Sequence, residues 1–221
     1  MHRRKKLLEL MRNGRQAVTA KTSDLVKVLQ SEITHELSIP RFQTYLLMLM
    51  QNDQSGSPGD FTLEWDAPHS EDIVLRKKCE TGEELAVSAL LGSAYSLSMT
   101  YPWNVEMKVC VKKPGLASLL QFDCNVYMRN DSTSEYYCHI TSARYLQSSS
   151  STGPRYYTGP SFRDLDPDLR TAFDEYLKTR LGGSLLKFLI EYMHRKEQNQ
   201  YVNWLQKLQE MVSNGESSSP S

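Results

Sequence analysis

Cys79, Cys110, Cys124 and Cys138 are the four thiols of this 221-residue chain, separated by 31, 14 and 14 residues. Metal ribbons and thiol–disulfide enzymes need two cysteines two residues apart, so that both sulfurs face one point, and no such pair occurs. Cys110, Cys124 and Cys138 lie inside apolar, strand-like runs, which predicts buried thiols in a reducing compartment. His2, His35, His69, His139 and His194 are not spaced to share a metal with one another or with a cysteine. Cys138 and His139 are adjacent, but neighbours in a strand point to opposite faces and cannot act as a dyad. The paired acids Glu71-Asp72 and Glu83-Glu84 fall at turn-proximal strand ends, where carboxylates form a solvated, acidic binding face rather than a general acid–base pair. No nucleophile elbow, phosphate loop, zinc-protease or dinucleotide motif is present. These residues predict no catalytic residues, no metal and no cofactor. Asn130-Asp131-Ser132 is a formal glycosylation sequon that matters only in a secreted protein.

The elements that must position these side chains can be read from periodicity. Residues 22–37, TSDLVKVLQSEITHEL, repeat apolar residues at Leu25, Val28, Leu29 and Ile33 behind a Ser23 or Asp24 cap, the pattern of an amphipathic helix. Pro40 ends it. The YLLMLM run of residues 45–50 and the loop up to residue 60 fit no element securely. From Phe61 the period becomes two. FTLEW, DIVLRKK, EELAVSALL, WNVEMKVCV, LASLLQFDCNVYM and EYYCHITSARYL follow one another with turn residues between them. They predict an antiparallel meander of about seven strands. Asp166-Pro167 then starts a helix, Gly182-Gly183 stops it, and a second helix runs over about 184–212.

Composition sets the class. Hydrophobic residues make up 39% and charged residues 24% of the chain, with a mean hydropathy of -0.51, and no run approaches the ~18 apolar residues of a membrane-spanning helix. The formal net charge of +0 hides an asymmetry. Residues 1–21 carry seven basic side chains against Glu9 alone, leaving 19 basic and 25 acidic residues, a net of -6, in the other 200. The basic leader reads as an organelle-targeting segment, or else as a solvated tail or a nucleic-acid-binding arm. A mildly acidic domain without a basic, aromatic-bearing stripe is not expected to bind nucleic acid directly.

The last helix raises the question of function. Its stripe includes Phe188, Met193, Tyr201, Trp204, Leu205 and Leu208. About 29 helical residues extend over 40 Å, more than one small sheet covers. The stripe can be a core face, a membrane-surface helix or a docking seam. Its polar face is mixed in charge rather than basic, which argues against the membrane surface.

YTGPSFRDLDPDLRTAFDEYL followed by LLKFLIEYMHRKEQNQYVNWLQKL resembles the C-terminal helical signature of the mitochondrial glycoprotein family. This is the mitochondrial acidic matrix protein group that includes the animal complement globular-head receptor. SDLVKVLQSEITHEL, DIVLRKK, GEELAVSALLG and LLQFDC resemble other segments of that family, in the same order. The likeness extends over about 22–212 and is nearest to plant members. It implies an α+β fold: a long twisted antiparallel sheet flanked by one N-terminal and two C-terminal helices, assembled as a ring-shaped homotrimer. It further implies that Tyr201, Trp204, Leu205 and Leu208 pack on Leu25, Val28, Leu29 and Ile33 and on a neighbouring subunit.

The expectation is therefore a basic leader at 1–21, one domain at 22–212 and a tail at 213–221. The resemblance implies a non-enzymatic protein of the mitochondrial matrix that binds basic proteins, such as organellar ribosomal or RNA-associated ones, as a scaffold or chaperone-like partner. That role would support organellar translation and oxidative phosphorylation. A multi-compartment adaptor in the cytosol, nucleus or chloroplast, using the same ring, is the alternative.

Overall fold

The structure, a computed structural model, describes residues 23–38, 58–92, 104–128, 136–148 and 157–214. The leader, the 45–57 segment, Asn130 and the tail from residue 215 lie outside the described residues. The chain divides into two compact units, Asn52–Glu197 and the combination of Met1–Gln51 with Gln198–Ser221.

In the first unit the alternating segments become β1 (Thr62–Asp66), β2 (Ile73–Lys78), β3 (Glu84–Leu91), β4 (Asn104–Lys112), β5 (Leu119–Met128) and β6 (Tyr136–Leu146). They form one sheet in the order β1-β2-β3-β4-β5-β6, every neighbouring pair antiparallel. The described residues thus hold six strands where the sequence pattern suggested about seven.

Short turns between consecutive strands make the meander the cheapest topology. Between β4 and β5, Lys113-Pro114-Gly115-Leu116 closes with Leu116 N donating to Lys113 O at 3.3 Å. Pro114 presets φ at the second position, and Gly115 supplies the positive φ of 74° that the third requires. A bulge interrupts β5–β6: Asp123 pairs with Ser142 and Cys124 with Ile140, so Thr141 is the extra residue. Its hydroxyl donates to Asp123 O at 2.9 Å, which satisfies a carbonyl at the break in the ladder.

Period two puts one side chain of each pair inside. Leu75, Val87, Val109 and Phe122 are in register across β2 to β5, and all four are fully buried. Helix α2 (Pro167–Asn214) follows a single 3-10 turn at Phe162–Asp164. Within this unit it covers the apolar sheet face with Leu177, Leu181, Leu185, Leu189 and Met193, one residue per turn. Each such leucine removed from water contributes about 1.5–3 kcal/mol. The aromatic end of this core is Phe122 meeting Phe173 edge-to-face, ring centres 5.5 Å apart.

Helix α2 starts where expected. Asp166 caps it, its carboxylate accepting Asp168 N at 2.9 Å. At Gly182 (φ 72°, ψ 155°) the backbone leaves helical geometry, so α2 is two helices joined at a kink.

In the second unit residues 23–38 are helical (α1) and pack on the last part of α2. Leu29, Ile33 and Leu205 form the buried cluster, with Tyr201 and Leu208 partly buried against it.

Candidate functional site

The helix pair of the second unit is held by few groups. Three buried side chains make its core. Around them Tyr201 donates its hydroxyl to Glu32 Oε1 at 3.2 Å, and Gln198 Nε2 donates to Glu36 O at 3.3 Å. Tyr201 also stacks on Trp204, ring centres 6.0 Å apart and 20° between planes. This arrangement satisfies the inner edge of the stripe and leaves the rest open. Leu25 is 47% exposed, Val28 64%, Trp204 54% and Met211 75%. Four large apolar side chains of the helix pair are thus left in water.

The ten residues predicted for this seam therefore separate. Leu29, Ile33 and Leu205, with Tyr201 and Leu208, form the intrachain pairing cluster. Leu25, Val28 and Trp204 face outward. Phe188 and Met193 leave the set altogether, because they are buried in the core that backs the sheet, at 6% and 1% exposure. The stripe serves two cores in turn, and a periodicity of 3.6 does not reveal where the first ends and the second begins.

The acidic face is corrected in the same way. Glu71 is exposed and Asp72 half-buried, accepting a hydrogen bond from the Ser70 hydroxyl. Glu84 is exposed but pairs across the sheet with Lys78 on one side and Lys112 on the other. Glu83 is no surface acid. It is buried, and Arg180 donates to it through Nε at 2.9 Å and Nη2 at 3.4 Å, while Tyr176 donates its hydroxyl at 3.2 Å. The Arg180 guanidinium lies over the Tyr176 ring, 3.5 Å from its centre. A second buried cation, Lys196, donates to the Asp66 carboxylate and to Ala67 O, and Tyr192 donates to the same carboxylate. These networks fasten the β2–β3 turn and the end of β1 to α2. Burial first, then the bond to Asp66, holds the Tyr192 phenol above its usual range.

The cysteines are all free. Cys124 is buried, whereas Cys79, Cys110 and Cys138 are half-buried, so only one of the three thiols expected in the interior is fully enclosed. Cys124 and Cys138 share the inner sheet face, diagonally across β5 and β6, and hydrogen-bond to each other. That bond and burial push the Cys124 thiol far up, away from the thiolate that nucleophilic chemistry requires. His139, exposed on β6, meets neither sulfur, and it lines a cleft with Asp174 instead. Among the described residues no three His, Cys, Asp or Glu side chains are placed to hold a metal ion. No described helix is long and apolar enough to cross a membrane.

A six-stranded antiparallel meander backed by a long kinked helix, with a small helix pair on which Trp204 is exposed, defines an α+β protein. The same fold occurs in a solved Leishmania major protein of unknown function, described as a sequence homologue of human p32. The two match with a TM-score of 0.61 at 18% identity, over 87% of this chain and 99% of that one. An uncharacterized mitochondrial protein of Arabidopsis thaliana is 26% identical over 201 residues, 85% of this chain and 74% of its own length. The mitochondrial acidic protein mam33 of Schizosaccharomyces pombe is 39% identical over 57 residues, which are 25% of this chain and only 21% of that protein. The mitochondrial glycoprotein family model matches residues 98–212. The chain belongs to the mitochondrial glycoprotein family.

Proposed function

We propose that this protein is a non-enzymatic subunit of a ring-shaped homotrimer in the mitochondrial matrix. There it binds basic proteins as a scaffold or chaperone-like partner, in support of organellar translation and oxidative phosphorylation. The observation that carries this reading is the set of exposed apolar side chains on the helix pair, with Val28 64%, Trp204 54% and Met211 75% exposed. A second copy would remove such side chains from water at about 25 cal/mol per Å². Family membership and the names of the mitochondrial relatives support the compartment. The sequence supports the choice of partner, since the chain beyond residue 21 carries a net charge of -6.

Light scattering on the purified chain tests the assembly. The expected mass is three times 25.4 kDa, falling towards one subunit in Trp204→Ala combined with Val28→Ala. Both residues are exposed in the single chain, so their loss leaves its own core intact. A monomer that the substitutions leave unchanged would sink the ring. Fluorescent fusions with and without residues 1–21 test the compartment, because mitochondrial signal should depend on the basic leader.

A further inference from the structure

The cleft beside His139 has a lining unlike the rest of this acidic domain. It is about 420 Å³ and lies between β6, the 3-10 turn and the first turns of α2. Within the size range of small-ligand sites, it is lined by Arg163 and Arg170 and by Thr141, Ser161 and Thr171, of which Thr141 and Thr171 donate to the Asp123 and Pro167 carbonyls. The Arg170 Nε is buried and has no hydrogen-bond partner among the described residues. That nitrogen is enclosed and uncommitted, so the donors that an anion in the cleft would meet are the terminal nitrogens of the guanidinium.

We infer that this cleft binds the phosphate group of a small hydroxylated phosphate monoester, such as a sugar phosphate, with Arg170 and Arg163 as the anchoring donors. Guanidinium forks match the oxygens of a phosphate two at a time. The two guanidinium forks, the Ser161 hydroxyl and the His139 imidazole exceed what a two-oxygen carboxylate can use, whereas a phosphate offers more acceptors. Asp174 is the one carboxylate in the lining. It opposes a bare anion and is suited to accept from a ligand hydroxyl, which favours an ester over inorganic phosphate. The helix end itself is not the binder, because Asp166 already takes the Asp168 amide. The exposed carboxylates of Asp164, Asp166 and Asp168 stand on the same segments outside the lining. They oppose long polyanions and leave a ligand that reaches both arginines as the preferred one.

Calorimetry on the full chain at constant ionic strength, with inorganic phosphate and with ribose 5-phosphate as probes, tests this site. Ribose 5-phosphate should bind saturably and more tightly than phosphate. Arg170→Gln should weaken it about tenfold or more, and Arg76→Gln, outside the cleft, should leave it unchanged. Asp174→Asn should tighten phosphate while narrowing the preference for the sugar ester. Arg163 is exposed, so Arg163→Gln carries the test if the Arg170 variant misfolds. Equal binding by the arginine variants, or no saturable binding up to about 10 mM, would overturn the assignment. Binding of phosphate alone, indifferent to the sugar and to Asp174, would overturn the ester preference.

Discussion

The carboxylate of Glu83 and the guanidinium of Arg180 meet at 2.9 Å with 9% and 25% of their side chains exposed. Removing one partner leaves the other poorly solvated, and for a fully buried pair that costs about 3–5 kcal/mol. Arg180 keeps some water and the Tyr176 carbonyl, so Glu83→Ala should cost about 2–3 kcal/mol, read as the shift in urea midpoint at unchanged slope. Tyr192 supplies a pH-dependent counterpart. Its phenol is held above the ordinary value of 10.0 by burial and by the bond to Asp66. The folded chain therefore keeps a proton that the unfolded chain loses in alkali. The stabilisation is complete below about pH 10 and fades as pH rises through and beyond it. Urea midpoints measured from pH 8 to 11 should fall at the alkaline end, and Tyr192→Phe should flatten that fall. An equally steep decline in the variant would assign it elsewhere, Tyr136 and Tyr176 also being phenols raised by burial.

At the scale of elements, the kink in α2 rests on a single backbone conformation. Gly182, at φ 72° and ψ 155°, lies in a region that side chains bearing a Cβ avoid at a cost of about 1–3 kcal/mol. Gly183 has open space around the position of a Cβ and no positive φ. Gly182→Ala should therefore destabilise, whereas Gly183→Ala should be neutral or stabilise by up to about 1 kcal/mol. Thermal unfolding of the two variants would show opposite shifts, and equal shifts would remove Gly182 as the hinge residue. Both glycines were legible as a break, as were the Asp166-Pro167 start and the alternation of β2 to β5. All of these are written in side chains a few positions apart. What was not legible depends on distant partners. Glu83 looks identical to Glu84 in sequence, and its burial follows from Arg180, 97 residues away. Phe188 and Leu205 belong to one stripe but to different cores. The bulge at Thr141 depends on a register with β5 that no local pattern records. The cleft at Arg170 gathers residues from three elements, each unremarkable by itself.

For the molecule as a whole, charge decides what it can attract. The full chain is formally neutral, yet residues 1–21 hold seven basic side chains and the remainder carries -6. Leader and domain thus oppose each other in any encounter with a basic partner. Removing the leader exposes the negative field, which becomes about -18 if three copies assemble, and such fields raise encounter rates with cations. Glu71 stands exposed, while Glu84 is flanked across the strands by Lys78 and Lys112. The attraction should therefore be diffuse rather than focused on one acid pair. Polylysine binding followed by anisotropy should be stronger for the 22–221 fragment than for the full chain. It should weaken steeply as salt rises past about 0.1 M, where screening reaches across only about 10 Å. Glu71→Gln alone should change little, whereas neutralising Glu71, Asp72 and Glu84 together should weaken binding severalfold. If the full chain bound polylysine as well as the fragment did, or if salt had no effect, the acidic field would not be the source of recognition. The exposed apolar side chains of the helix pair, Trp204 among them, would then be the alternative source of partner selection.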